Sequence, residues 1–155
     1  MLLTGLLPDI TTDPAIETAI DSVEAGRSGT IVAPVGIRPP LLAAVASRAA
    51  TPLVVLTATG RDAESLTNAL ASWIPGVAML PAWETLPHER LSPQVDTMAR
   101  RIAVLRRLVH PIKGDDSAGP MSVLVVPIRA FLQPIISGLA DLEPVRVRTG
   151  DILDL

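Results

Sequence analysis

The run Ser122-Val123-Leu124-Val125-Val126 is the strongest strand signal in the sequence, and it decides the fold class. Its residues are continuously apolar, which is typical of a strand covered on both faces of a parallel sheet. Two shorter runs upstream, 53–56 and 77–80, have the same character. The sequence therefore predicts a parallel sheet that is shielded on both faces.

Helical patterns separate these apolar runs. The first begins with Asp13 as N-cap and Pro14 at the first helical position, a pairing that favours a helix start. The predicted helices cover residues 14–25, 38–50, 62–73, 93–110 and, with an interruption at Pro134, 128–139. Because strands and helices alternate at the length that a βαβ unit requires, we expect an α/β fold: a three-layer parallel sheet flanked by helices.

Two further strands are predicted outside this central part. Residues 29–33 form a short β-branched run, and residues 145–148 alternate Val and Arg, which fits a sheet edge. We therefore expect an N-terminal helical lead-in over 1–28 and an α/β domain over 29–155. The apolar ending at Leu155 suggests a fragment of a longer chain.

The longest helical pattern, 93–110, carries one apolar stripe. Its members are Val95, Met98, Ala99, Ile102, Leu105 and Val109, and this stripe is predicted to be the buried face. Arg100 and Arg107 lie seven residues apart and are expected on the opposite side. They could contact DNA phosphates or a protein, although cations near a helix C-terminus are also favoured by the helix dipole alone.

Composition excludes several classes of function. The 155 residues are 48% apolar and 19% charged, as in a single soluble globular domain. No apolar run reaches about 18 residues and the N-terminus lacks a basic flank, so we expect a cytoplasmic protein without a membrane segment. Without Cys and with only two His residues, a metal site is not expected. The formal charge of −3 excludes a basic surface extending over the whole domain.

The junction at 33–40, Ala-Pro-Val-Gly-Ile-Arg-Pro-Pro, lies where a nucleotide-binding α/β fold would place a phosphate loop. In that alignment Ala33 and Arg38 replace the two glycines, Pro39 replaces the Lys, and Pro40 replaces the Ser or Thr. Neither proline offers an ammonium group, a hydroxyl group or a backbone N–H. The sequence therefore predicts a degenerate phosphate loop that binds no nucleotide.

Residues 80–96, Leu-Pro-Ala-Trp-Glu-Thr-Leu-Pro-His-Glu-Arg-Leu-Ser-Pro-Gln-Val-Asp, resemble the UvrB-homology module at the N-terminus of the transcription-repair coupling factor (Mfd). Residues 100–105 and 124–127 also fit that family's pattern, and the resemblance extends over roughly 29–155. UvrB itself carries an intact phosphate loop and a long aromatic-rich hairpin. This chain has neither feature, which favours the coupling factor.

The resemblance implies a fold, partners and cofactors. The fold would be a degenerate, helicase-like lobe of the phosphate-loop NTPase type. The parent would be an ATP-dependent DNA translocase that displaces stalled RNA polymerase and recruits UvrA for nucleotide excision repair. ATP and magnesium would bind to the parent's motor domains, which would also contact DNA, and no cofactor is implied for this chain. Its partners would be UvrA, RNA polymerase and other domains of the same chain.

Within the family's motif loop, Trp83, Glu84, Thr85, Leu86 and Pro87, no residue has a catalytic partner at a defined spacing. Trp83 could stack on a base or a partner, but we interpret it as a core anchor whose loss would cost about 3–5 kcal/mol. Glu84 is expected to accept hydrogen bonds from nearby N–H groups. The sequence thus predicts no catalytic residues and a non-catalytic scaffold.

Two alternatives from other classes remain open. One is a free-standing nucleotide-binding lobe of the helicase type. The other is a small-ligand α/β binding domain, with its ligand at the carboxyl ends of the strands.

Overall fold

The sheet contains three parallel strands in the computed structural model, which describes residues 2–84, 94–143 and 150. The strands are β1 (Leu53–Thr57), β2 (Val77–Met79) and β3 (Val123–Pro127), in the order β1-β3-β2. Leu53 and Val77 both pair with Val123 from opposite sides. All five residues of β3 are buried. The predicted parallel sheet is confirmed, and the most apolar run in the sequence is its central strand.

Six helices are described. They are α1 (Leu7–Thr11), α2 (Pro14–Glu24), α3 (Arg38–Arg48), α4 (Gly60–Leu70), α5 (Val95–Val109) and α6 (Ile128–Phe131), and 3₁₀ turns cover Thr4–Leu6, Val35–Ile37 and Leu139–Asp141. The predicted N-cap is present, because the Asp13 carboxylate accepts the N–H groups of Ala15 and Ile16 at 2.8 and 3.4 Å. Thr59 caps α4 in the same way through the N–H of Asp62.

The helices pack on both sides of the central strand. Val123 and Val125 lie in one core cluster with residues of the first four helices, including Ile20, Ala43 and Leu70. On the opposite face, Leu124 and Val126 pack in a second cluster beneath α5. The α/β fold with a parallel sheet flanked by helices is confirmed for the described residues.

The second face of the sheet is only partly covered, which corrects one expectation. Val54 and Leu56 of β1 lie beside Leu124 and Val126 but remain 51% and 47% exposed. The cluster beneath α5 contains residues of β2 and β3 and none of β1. Continuous apolarity predicted burial on both faces, and for this edge strand that prediction is wrong.

Two predicted elements are absent or shortened. Residues 29–33 form no strand, and Val32 is 96% exposed. A β-branched run needs a neighbouring strand to pair with, and no described strand lies beside it. The helix predicted over 128–139 ends at Phe131. The residue before Pro134 disfavours helical geometry, so the chain leaves the helix before that proline. The strand predicted at 145–148 lies outside the described residues.

The N-terminal elements share the first core cluster. Leu7 and Ile20 are buried within it, and Arg48 at the end of α3 bonds Glu24 of α2 at 2.9 Å. The Leu3 N–H donates to the Ser72 carbonyl at 2.7 Å. These contacts join the lead-in to α3 and α4, while the domain boundary at residue 28 stays a prediction. None of the described helices combines the length and hydropathy that crossing a membrane demands.

Candidate functional site around Trp83

The Trp83 segment, here residues 81–84, begins where β2 leaves the sheet. The Leu80 N–H still donates to the Val125 carbonyl of the central strand at 3.0 Å, and the chain then turns away at Pro81. The segment therefore starts at the carboxyl edge of the parallel sheet. The rest of the family motif, Thr85, Leu86 and Pro87, lies outside the described residues, as do His88 and Glu89.

The backbone of Trp83 is held by a residue far along the chain. The side-chain oxygen of Gln133 accepts the Trp83 N–H at 2.8 Å, and its nitrogen donates to the Trp83 carbonyl at 3.3 Å. Arg129 donates from Nη2 to the Glu84 carbonyl at 3.2 Å. Both residues follow β3, so the chain after the central strand fixes the path of the motif. No spacing pattern in the sequence indicated either contact.

Glu84 is bonded through its carboxylate to α5. The hydroxyl of Thr97 donates to Glu84 Oε1, and this bond is the largest cause that lowers the pKa of Glu84 below its ordinary value. The pKa is lowered further by backbone hydrogen bonds involving Glu84 and Gln94 and by the charge of Arg129. Desolvation raises it, but by less than these effects and the Thr97 bond lower it together. Glu84 is therefore a charged hydrogen-bond acceptor at neutral pH, which is unsuited to releasing or taking up a proton there.

Arg101 contacts the same segment from the next turn of α5. Its side chain is fully buried at 0% exposure, and Nη1 donates to the Pro81 carbonyl at 2.6 Å. The guanidinium carbon lies over the Trp83 ring, 4.5 Å from the ring centroid, which is within cation–π range. Nε and Nη2 are buried and meet no acceptor in the part of the chain that the structure describes. Burial lowers the pKa of Arg101, because desolvation disfavours its charged form.

Trp83 is held differently from a core side chain. It is half-buried, and it belongs to neither of the two described core clusters. Trp73, in contrast, packs against the first cluster. Among the described residues, Trp83 is therefore held by backbone bonds to Gln133 and by the face of Arg101, and not by membership of a core cluster as the core-anchor interpretation expected.

The buried face of α5 differs from the predicted stripe. Its buried residues are Thr97, Arg101, Val104 and Leu105. Of the predicted stripe, Val95 is 81% exposed, and Met98 and Val109 are also exposed. The prediction is correct for Leu105, which is buried, and wrong for Val95, Met98 and Val109, because it counted apolar residues only. Thr97 and Arg101 face inwards because the Trp83 segment supplies partners for them.

Arg100 and Arg107 differ in exposure and in their contacts. Arg100 is exposed and forms an ion pair with Asp96 at 3.0 Å. Arg107 is partly buried and donates from Nε to the Gly119 carbonyl at 2.9 Å. Arg107 thus holds the loop after α5. Contact of either residue with DNA or a protein stays a prediction.

Other basic residues at the end of α5 have similar structural roles. Arg106 bonds Glu143 at 3.1 Å, and His110 bonds Asp141 at 2.7 Å. These bonds tie α5 to the 3₁₀ turn at Leu139–Asp141. Within residues 2–84, 94–143 and 150, no group of three or more His, Asp or Glu side chains could hold a metal ion.

The proposed phosphate-loop position has a simple local structure. Val35–Ile37 is a 3₁₀ turn, α3 begins at Arg38, and Pro39 and Pro40 occupy its first turn. An anion at a helix start is held by free backbone N–H groups, and these two residues have none. Whether this loop derives from a phosphate loop stays a prediction.

A crevice of about 470 Å³ opens at the carboxyl ends of the strands. Thr59, Pro81 and Arg129 are among its lining residues. The start of α4 beside it is already capped: Thr59 accepts the Asp62 N–H and donates its hydroxyl to the Asp62 carboxylate at 2.7 Å. An anionic ligand would therefore meet a negative charge at this helix start.

Comparison with known proteins identifies relatives of one kind. No protein-family profile matches the chain. It is 46% identical over 125 residues to the transcription-repair-coupling factor of Mycobacterium bovis, a match that covers 79% of this chain and 10% of the relative. The Mycobacterium tuberculosis protein of the same name matches equally well. The Escherichia coli K12 protein is 29% identical over 96 residues, covering 61% of this chain and 8% of the relative.

The chain thus spans only about a tenth of the length of the relatives it matches. The similarity read from residues 80–96 is confirmed by these matches. On that basis the chain belongs to the transcription-repair-coupling factors, of which it represents one part.

Proposed function

We propose that this chain is the non-catalytic, UvrB-like N-terminal module of a transcription-repair coupling factor and that it acts through protein contacts. In this proposal the parent is an ATP-dependent DNA translocase in the cytoplasm that displaces stalled RNA polymerase and recruits UvrA. ATP, magnesium and DNA bind to the parent's motor domains. The module itself contacts other domains of the same chain.

The observation that carries the proposal is the exposure of three members of the apolar stripe on α5, although Leu105 of the same stripe is buried. Val95, Met98 and Val109 are exposed although the helix has a buried face of its own. Exposed apolar residues grouped on one element mark interaction sites more often than isolated ones do. The stripe therefore supports a docking function for this helix.

The edge of the sheet supports the same function independently. Among the described strands β1 lies at the edge of the sheet, it contains no charged residue or proline, and Val54 and Leu56 are half-exposed. Soluble proteins usually protect such edges with charges, prolines or a covering element. The exposed apolar side chains of this strand favour a neighbour that covers them, and the remainder of a coupling factor is the neighbour we propose.

Docking can be tested by supplying the rest of the parent separately. A coupling-factor chain that begins after Leu155 should co-elute with this module in size-exclusion chromatography. The double change Val95→Asp and Met98→Asp should weaken co-elution, because each places a charge in the apolar contact. Val32→Asp is the matched control, since Val32 is also exposed and apolar but lies far from α5 in the sequence.

Two results would contradict the proposal. Absence of co-elution would contradict the docking function. If the double variant of Val95 and Met98 co-eluted as well as the Val32→Asp control, α5 would not be part of the contact. Capture by UvrA, compared between this chain and one that continues past Leu155, then tests recruitment. We expect efficient capture only of the longer chain, because the resemblance places most of the UvrA-contacting domain beyond Leu155.

A further inference from the structure

Arg101 combines complete burial with sparse hydrogen bonding. Among the described residues, only Nη1 has an acceptor, the Pro81 carbonyl at 2.6 Å, while Nε and Nη2 have none. A buried donor without an acceptor destabilises the folded state. A hydrogen bond therefore compensates the burial of only one of the three guanidinium nitrogens. Hydrogen bonding does not explain why an arginine occupies this position.

The planar face of Arg101 accounts for that choice. The guanidinium carbon lies 4.5 Å from the centroid of the Trp83 ring. Arginine is planar and more weakly hydrated than lysine, so it stacks on an aromatic face and enters a buried site more readily. The contact with Trp83 is thus the interaction that requires arginine.

No other described contact orients the indole ring so directly. Gln133 bonds only the backbone N–H and carbonyl of Trp83, and Arg129 bonds the backbone of Glu84. Backbone bonds fix the path of the chain but leave rotation about the side-chain bonds free. Ring orientation is then set mainly by Arg101.

We propose that Arg101 is the positioning residue of the Trp83 segment: its stacked guanidinium fixes the indole and so the surface that the segment presents. That this surface serves a protein contact rests on the proposed function, whereas the positioning itself does not. Because two buried donors are unpaired, removal of the guanidinium should release the ring without weakening the fold.

Arg101→Met tests this separation of orientation from stability. Trp73→Phe is introduced first, so that Trp83 alone contributes tryptophan fluorescence. Arg101→Met should then increase acrylamide quenching of Trp83 and reduce its near-ultraviolet circular dichroism. The melting temperature should stay equal or rise. Arg100→Met, an exposed change on the same helix, is the matched control and should alter neither Trp83 signal.

A folded Arg101→Met variant with unchanged Trp83 signals would overturn the proposal, whatever its melting temperature. If that variant fails to fold, NMR of the wild-type chain decides. The Arg101 side-chain N–H resonances should be shifted upfield by the Trp83 ring current, and Trp83→Leu should remove the shift. An unshifted wild-type resonance would overturn the proposal.

The outcomes also separate this inference from the docking function. Neither readout involves a partner protein. Loss of docking with both Trp83 signals as expected would overturn the proposed function alone. Normal docking with unchanged Trp83 signals in Arg101→Met would overturn the positioning proposal alone.

Discussion

At the scale of single residues, polar contacts with distant parts of the chain determine the Trp83 segment. Gln133 and Arg129 follow β3, whereas Thr97 and Arg101 lie on α5, and all four converge on 81–84. The segment was recognisable in the sequence by its composition. Its partners were not, because a contact between residues 50 positions apart leaves no periodic signal.

Trp83→Ala is the first residue-scale prediction. We expect a loss of about 2 kcal/mol in the free energy of unfolding, below the range of about 3–5 kcal/mol for a fully buried aromatic. The reason is that Trp83 is half-buried and lies outside the described core clusters. Urea denaturation followed by far-ultraviolet circular dichroism provides the measurement.

Trp73→Ala is the matched comparison, because Trp73 packs against the first core cluster. It should cost more than Trp83→Ala. A larger cost for Trp83→Ala would restore the core-anchor interpretation that the sequence suggested.

Glu84 gives a prediction about pH. The hydrogen bond from Thr97 lowers the pKa of Glu84 in the folded state below its ordinary value of 4.5. A depressed folded pKa adds stability above the unfolded value, and this stability is lost as the pH falls through the folded value. Glu84→Gln should therefore reduce the loss of stability below pH 4.5, measured as urea midpoints across the acid range.

The matched variant for this prediction is Thr97→Val, which removes the main donor and keeps the carboxylate. It should also flatten the acid dependence, because the folded pKa of Glu84 would move back towards its ordinary value. An acid dependence identical to that of the wild type in both variants would contradict the assignment.

At the scale of elements, α5 gives the clearest prediction. Val95 is exposed and Val104 is buried, whereas a count of apolar spacing placed Val95 on the buried face. Val95→Asp should change the free energy of unfolding of the isolated chain by no more than about 0.5 kcal/mol, as surface changes do. Val104→Asp should destabilise strongly, because it buries an unpaired carboxylate.

Thermal melting of both variants measures the difference. Similar losses of stability, or a greater loss for Val95→Asp, would mean that α5 packs through its apolar stripe after all. The comparison uses the same substitution on the same helix, although Asp is additionally favoured at Val95 because that residue begins the helix.

Most elements were predictable from the sequence, and the failures share a physical cause. β3 and α2 were predictable because continuous apolarity and an Asp-Pro start are local signals. The strand prediction for residues 29–33 failed because a strand also depends on a neighbouring strand that local sequence does not specify. The prediction of the buried face of α5 failed for a related reason. Arg101 is buried despite its polarity because it stacks on Trp83, a contact that local sequence does not specify.

At the scale of the whole molecule, the described residues form a parallel three-stranded sheet flanked by helices, and α3 begins without the groups that hold phosphates. α3 begins at Arg38 with Pro39 and Pro40 in its first turn. Phosphate binding at such a position depends on backbone N–H groups, a lysine ammonium group and a hydroxyl ligand for magnesium. The two prolines supply none of these groups, which agrees with the proposal that the module acts through protein contacts.

The last prediction follows from this arrangement. Isothermal titration of the chain with ATP and magnesium should show no saturable binding. Pro39→Lys with Pro40→Thr should not restore it, because Ala33 and Arg38 still stand where the loop requires glycine to bring its backbone close to phosphate. Saturable binding of ATP by the wild-type chain at micromolar concentration would contradict the prediction. It would favour a nucleotide-binding lobe over a docking module.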